Sequence, residues 1–431
     1  MGNYQGYQKY KDSGVVWLGD IPEHWEQKRF KFSVNLINNK IEAENSNLSY
    51  MGLEHIESWT GKKIEDKNAS SEGIGSHFLP NDVLFGKLRP YLAKVYLSDI
   101  EGLASTEALV LRCKNNIFPK FLKYYILSRD FINIVDSSTF GAKMPRASWD
   151  FIGNLFFIFP PLNEQQKIAQ FLDYKTKQID ELIKKKETLI EKLDEKRTAV
   201  ISHAVTKGLD SSVPMKDSCI EWLGEIPKHW KVKRLKNIAS CNDESLGENT
   251  APDFEIEYVD ISSVDLVSGI RHYENMTFEK APSRARRKVQ DGDTIISTVR
   301  TYLKSIAAIK QPPINLIVST GFAVIRPKIN INSNYIGYLL QSEGFVGKVV
   351  SNSVGVSYPA INSSVLISLP VVEPPINEQQ KIAQFLDYKT AQIDKQKAKI
   401  KQAIELLKEY RTSLITNAVT GKIDVSQVDI P

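Results

Sequence analysis

The chain has 431 residues, 42% of them hydrophobic and 25% charged, with a net charge of +5 and a pI near 8.7. That length asks for two to four domains, the composition excludes bulk disorder and low complexity, and no run approaches the ~18 uncharged residues that span a bilayer. Cys113, Cys219 and Cys241 are odd in number and lack metal or redox spacing, so a reducing, cytoplasmic setting is expected, and the mild basic charge permits a polyanionic partner without requiring one.

In chain order, the first landmark is VVWLGDIPEHWEQKRFK, Val15 to Lys31. Short β-type runs follow in DVLFGKL and TEALVLRC, then one helical stretch, FPKFLKYYILSRDFINIV, then a third strand in NLFFIFP. Pro160 and Pro161 end that strand. Asn163 is the expected N-cap of a long helix, with the acceptor-rich Glu164, Gln165 and Gln166 in its first turn. The succession then recurs: CIEWLGEIPKHWKVKRLK from Cys219, DTIISTV, GFAVIRP, helical YIGYLLQSEGFVGKVV, SVLISLPVV, Pro374 and Pro375, and a second long helix capped by Asn377. An α+β fold is expected, with two globular domains of mixed content and two long helices. The boundaries are 1–162 and 208–376 for the domains, 163–207 and 377–424 for the helices, and 425–431 for a tail.

The recurrence is a duplication of a whole domain with its connector. Trp17 and Trp222 stand 205 apart, Asp82 and Asp293 stand 211 apart, and Ser105 and Ser319 stand 214 apart. The last offset holds through Gly141 and Gly355, Pro145 and Pro359, and a fourteen-residue block, NEQQKIAQFLDYKT, that is identical at Asn163 and Asn377. The second copy has therefore gained nine residues, all in its front portion.

Beyond the block, apolar positions recur at alternating three and four spacing. Ile179, Leu182, Lys186, Leu189, Leu193, Lys196 and Val200 match Ile393, Gln396, Ile400, Ala403, Leu407, Tyr410 and Leu414, a coiled-coil seam of three heptads. Connectivity makes two such helices antiparallel if they pair. About 40 residues at ~1.5 Å each give a rod of roughly 60 Å, with one globule expected at each end.

These residues resemble a known family. The IP-x-HW-x-x-x-[RK] segment opening each half, and PPLNEQQKIA and PPINEQQKIA opening each long helix, look like specificity subunits of type I restriction-modification systems. The likeness covers about Ser13 to Asp424. It implies that each globule is a target recognition domain reading one half of a split DNA sequence, with the helices as a ruler. It also implies two methyltransferase subunits and two restriction (motor-nuclease) subunits as partners, using S-adenosylmethionine, and ATP with magnesium, outside this chain. A rod of ~45 to 60 Å spans about 13 to 17 base pairs, which suits a bipartite, asymmetric target. The specificity subunit of a combined nuclease-methylase system fits the same residues, and a coiled-coil adaptor that binds proteins is the rival from another class.

Residues common to both copies cannot distinguish two words. Arg89, Tyr91, Arg300 and Tyr302 are accordingly candidates for phosphates or the fold, with Lys87, Lys94 and Lys304 beside them. Residues that differ at equivalent places are candidates for base edges: Lys143, Met144 and Arg146 in GAKMPRAS against Ser357, Tyr358 and Ala360 in GVSYPAIN. The densest basic run, SRARRK, adds Arg284, Arg286, Arg287 and Lys288. Docking of the methyltransferases is expected on the outward residues of the block: Gln165, Gln166, Gln170, Asp173, Tyr174 and Lys175, mirrored by Gln379, Gln380, Gln384, Asp387, Tyr388 and Lys389. No catalytic or metal-ligating residue is assigned. The chain lacks a Gly-x4-Gly-Lys-[Ser/Thr] loop, an Asn-Pro-Pro-aromatic motif and an HExxH pair, and no Glu-x-Lys follows Pro252-Asp253. His24 and His229, beside Trp25 and Trp230, read as packing residues.

Overall fold

In the computed structural model, residues 4–42, 46–64, 73–141 and 143–429 are described. The chain forms two compact units, residues 1–187 with 400–431, and residues 188–399. Two long helices, Leu162–Lys207 and Ile376–Val419, contribute to both. Each unit takes the opening of one and the close of the other. Among the described residues no helix is long and apolar enough to cross a membrane.

Apolar β-branched and aromatic runs build the sheets. In the first unit Val34–Ile37, Ala108–Cys113, Val83–Gly86 and Val95–Leu97 lie side by side, every pair antiparallel. Val83, Leu84 and Phe85 are buried on both faces, so this strand reads as a continuous apolar run rather than an alternating one. A second sheet has the order Lys40–Glu42, Ile74–Phe78, Gly102–Ser105, Ser49–Met51, with the last pair parallel. The second unit repeats the first sheet and three strands of the second. One sheet is Ala239–Cys241, Phe322–Pro327, Thr294–Ser297, Ile306–Ala308; the other is Glu274–Thr277, Glu255–Val259, Leu316–Ser319, Ala285–Lys288, with the middle pair parallel. Glu274–Thr277 lies in the stretch where the second copy is longer.

Asp82 and Asp293, the anchors of the repeat, are buried. Asp82 accepts from Arg112 at 2.8 and 2.7 Å and from the Leu79 amide, and Asp293 accepts from Arg326 at 3.0 and 3.0 Å and from the Gln290 amide. A buried carboxylate is tolerated when its lone pairs are met in this way.

Two local expectations are corrected. The single helical stretch of each copy is two helices, Pro119–Ile126 then Arg129–Ser137, and Ser333–Gln341 then Glu343–Ser351. Ser128 and Ser342 sit in extended backbone at the break, and the new helix is satisfied from the long helices: the Arg129 amide donates to Thr416 Oγ1 at 2.9 Å, the Glu343 amide to Ser202 Oγ at 3.0 Å. In SVLISLPVV only the end is strand, Pro370–Glu373, paired with Lys231–Arg234; Ser363–Leu366 is a helical turn.

The two sequence landmarks of each copy lock together. Glu164 accepts from Trp25 Nε1 at 3.1 Å and from Tyr7 Oη at 2.6 Å, and it meets His24 Nε2 at 2.8 Å. Glu378 does the same for Trp230 at 2.9 Å and His229 at 2.6 Å. Both tryptophans are fully buried in the hydrophobic cores, so the indole N–H needs this acceptor. The helix starts one residue earlier than expected, at Leu162 and Ile376. The carbonyls of Pro161 and Pro375 accept the first intrahelical bonds, and Asn163 and Asn377 lie inside the first turn rather than at the cap.

The seam also differs from the expected register. Leu182 and Leu189 are exposed, as are Lys196 and Gln396, whereas Ile183, Ile190, Arg197, Lys397, Ile404 and Arg411 are covered. The stripe follows four-three instead of three-four spacing, because two basic side chains are buried against acids. Arg411 Nε donates to Asp180 Oδ1 at 2.9 Å in the first unit, and Lys397 pairs with Asp194 in the second.

Candidate nucleic-acid interface

In each unit the turn after a central strand meets a hairpin. The Arg89 amide donates to the Pro145 carbonyl at 2.8 Å, and the Arg300 amide to the Pro359 carbonyl at 2.7 Å. Leu88 bridges Arg146, and Val299 bridges Ala360, in matching antiparallel geometry. Arg89 and Arg300 have φ of 52° and 51°, left-handed backbone that costs a non-glycine residue about 1–2 kcal/mol. The same left-handed backbone recurs at Ala93 and Lys304, so the strain belongs to a turn that both units share, with an arginine at its start in each. The loop and hairpin residues Lys87, Arg89, Tyr91, Lys143, Met144 and Arg146 are thereby gathered on one surface of the first unit. Arg300, Tyr302, Lys304, Ser357 and Tyr358 are gathered on the equivalent surface of the second.

Partners sort these candidates. Among the described residues no ion pair engages Lys87, Arg89, Lys143, Lys288 or Lys304, and the Arg300 guanidinium lies 4.5 Å over the exposed Tyr358 ring. Lys94 differs: its ammonium donates to the carbonyls of Leu53 at 2.6 Å and Ile56 at 3.0 Å, so it is turned into the fold. A sequence in which Lys94 follows Lys87 and Arg89 gives no sign of that, because the accepting carbonyls are some forty residues away. Arg146 forms a two-bond fork with Glu107, 3.0 and 3.3 Å, and this hydrogen bonding raises its pKa further above the ordinary arginine value.

SRARRK occupies the edge strand Ala285–Lys288, topologically the place of Ile74–Phe78. Among the described residues only Arg284 of this run meets a carboxylate. Arg284 bonds Tyr258 and pairs with Asp260 at 2.7 Å, Arg286 lies 4.5 Å over Phe278, and Arg287 reaches Ser245 at 3.3 Å. The first-unit equivalent of this strand carries none of these arginines, and the cluster lies apart from the Arg300 turn in sequence and in sheet.

The identical block divides into two classes. Gln165 and Gln379, expected to face outward, are buried and are corrected here. Gln165 accepts from the Phe118 amide and donates to the carbonyls of Asn116 and Pro160; Gln379 accepts from the Asn332 amide and donates to the Pro374 carbonyl. A primary amide can satisfy three backbone groups at once, so both copies keep it as a brace. Gln166, Gln170, Gln380 and Gln384 are exposed, as is Tyr388, with Tyr174, Lys175 and Lys389 half-exposed. Asp173 is held by Tyr124 and Lys120, each at 2.7 Å, and Asp387 by Tyr338 at 2.8 Å and Lys310 at 3.4 Å. Among the described residues no group of three or more His, Cys, Asp or Glu could hold a metal ion.

The family model described as type I restriction modification DNA specificity domain matches residues 11–192 and 227–406. The chain is 24% identical over 433 residues to the type I restriction enzyme MjaVIII specificity subunit of Methanocaldococcus jannaschii, covering 95% of each. It is 26% identical over 441 residues to the putative MjaX specificity subunit of the same organism, covering 97% of this chain and 98% of the relative. Its fold is similar to that of the HsdS subunit from Thermoanaerobacter tengcongensis, with a TM-score of 0.52, 19% identity, and coverage of 94% and 98%. It is also similar to a chain solved in work on assembly and conformational transition of the type I R-M system, with a TM-score of 0.69, 19% identity, and coverage of 93% and 98%.

Proposed function

The chain belongs to the type I restriction modification DNA specificity family, and on that premise we propose that it reads a two-part, asymmetric DNA target, one word per unit. The observation that carries this reading is a shared scaffold with unlike tips. Arg89 and Arg300 occupy the same strained turn, whereas the hairpins beside them present Lys143, Met144 and the Arg146–Glu107 fork in one unit and Ser357, Tyr358 and Ala360 in the other. Unpaired Lys87, Arg89, Arg300 and Lys304 supply phosphate contacts that set position, and the differing tips supply base contacts that set the word. Lys288 extends the basic surface of the second unit.

The exposed residues of the identical block, Gln166, Gln170 and Tyr174 with Gln380, Gln384 and Tyr388, dock two like methyltransferase subunits, since equal surfaces suit equal partners. Two restriction subunits complete the assembly, and S-adenosylmethionine, ATP and magnesium act on those other subunits in the cytoplasm. The test is a genome-wide map of N6-methyladenine in cells carrying this chain with its methyltransferase. A bipartite motif with a fixed gap is expected, and methylation of a continuous short palindrome refutes the reading.

A further inference from the structure

The Arg146–Glu107 fork is replaced as a unit in the second copy. Glu107 and Gly321 hold the same place, for each carbonyl accepts the amide that follows the central strand, Lys87 at 2.9 Å and Thr298 at 2.8 Å. Arg146 and Ala360 likewise hold one place, each bridged both to that turn and to the base of its own hairpin, Phe140 or Val354. Two positions 39 residues apart have thus changed together, from a charged pair to two small residues. A brace needed by the shared scaffold would be present in both copies.

The geometry leaves the arginine half used. Glu107 takes the Nε–Nη2 edge, with Nε to Oε2 at 3.0 Å and Nη2 to Oε1 at 3.3 Å. The outer Nη1–Nη2 edge remains, two parallel donors on a side chain that is 48% exposed, while Glu107 is 28% exposed behind it. Two parallel donors match the O6 and N7 acceptors of guanine in the major groove. A long exposed arginine would otherwise sample many rotamers, and the carboxylate fork removes that freedom before DNA arrives.

Resting on the reading that this face meets DNA, we infer that Glu107 is a specificity residue of the first unit. It acts as a positioning group, holding Arg146 so that its outer edge reads one guanine of that unit's word. The second unit, with Gly321 and Ala360, lacks this fork.

The full chain is used to select from a randomised duplex pool, with the salt slope and unfolding temperature measured alongside. Arg146→Ala is expected to make one guanine position degenerate, its preference falling roughly 5- to 150-fold. Glu107→Ala weakens the same position by a smaller factor although Arg146 is intact, and Glu107→Gln, which keeps one acceptor, weakens it least. The unfolding temperature stays within a few degrees of wild type in all three. An unchanged word in either Glu107→Ala or Arg146→Ala overturns the inference. So does a loss spread evenly over the half-site with a lower unfolding temperature, which would make the fork a brace. The underlying reading is tested separately: Lys87→Ala with Arg89→Ala binding duplex as well as wild type would move the DNA to another face.

Discussion

Arg411 and Arg197 are equivalent residues of the two long helices, and they allow a matched perturbation. Arg411 is 6% exposed; its Nε donates to Asp180 at 2.9 Å and its Nη groups donate to the carbonyls of Trp59 at 2.9 Å and Thr60 at 3.1 Å. Those carbonyls belong to the hairpin closed by the bridge of Ile56 with Lys63. Arg197 Nε stands 3.8 Å from Asp394 and is buried without a hydrogen-bond partner, and Arg197 and the equivalent hairpin at Leu266 to Gly269 line an open pocket of about 310 Å³. Breaking a buried, hydrogen-bonded pair costs ~3–5 kcal/mol. Arg411→Ala should fall near the lower end, about 3 kcal/mol, because Lys62 still faces Asp180 at 2.7 Å and alanine favours the helix. Arg197→Ala loses only a long pair with a half-exposed acid, about 1 kcal/mol or less. Native-state hydrogen exchange measures both. The Glu57 and Ile64 amides, bonded within the first hairpin, should exchange about 100-fold faster in Arg411→Ala, while Arg197→Ala changes the Arg271 amide of the second hairpin less than tenfold. Equal effects at the two sites would refute the argument that the carbonyl bonds and close pairing distinguish them.

Gln165→Ala leaves three buried backbone groups short of a partner and should cost about 2 kcal/mol in thermal unfolding, whereas Gln166→Ala should be neutral to stability and instead weaken co-purification with the methyltransferase. In DNA binding, Arg89→Ala and Arg300→Ala should each lower the salt slope by ~0.9, and Arg284→Ala, whose charge is met by Asp260, should leave it nearly unchanged. Burial, with the nearby Asp82 charge, pushes the Cys113 thiol up from 9.0 to about 12. Cys113 should therefore resist alkylation at pH 8 under conditions that label the exposed Cys219. Its folded pKa lies above its unfolded value, so its contribution to stability is full below pH 9 and is lost as the pH rises toward 12, which denaturation across that range would detect.

Much of the architecture was legible in the residues alone. Duplication is visible in Trp17 and Trp222 and in the identical block, and the central strands are visible as apolar runs that no helical period explains. The long helices announce themselves by proline pairs followed by acceptors. All of these are local signals, written within one stretch of chain. What failed was whatever depends on a distant group. A glutamine in a helix's first turn reads as surface, and only the Phe118 amide and the Asn116 and Pro160 carbonyls make Gln165 a buried brace. The three-four spacing through Leu182 and Leu189 is local, whereas the buried four-three stripe needs Asp180 and Asp194, brought alongside by tertiary packing, to let Arg411 and Lys397 take the interior. The helix restarting after Ser128 likewise depends on Thr416, 287 residues from the Arg129 amide it accepts.

The sequence by itself determined that one scaffold is used twice with different tips, because repetition and divergence are properties of the letters. Tertiary structure decided which charges are spent inside and which remain for a ligand. Lys94, Arg284 and Arg411 are engaged by groups remote in the chain, while Arg89, Lys143 and Lys304 are left without a carboxylate among the described residues. A charge's availability is set by the nearest counter-group in space, and proximity in space is a quantity the order of residues does not contain.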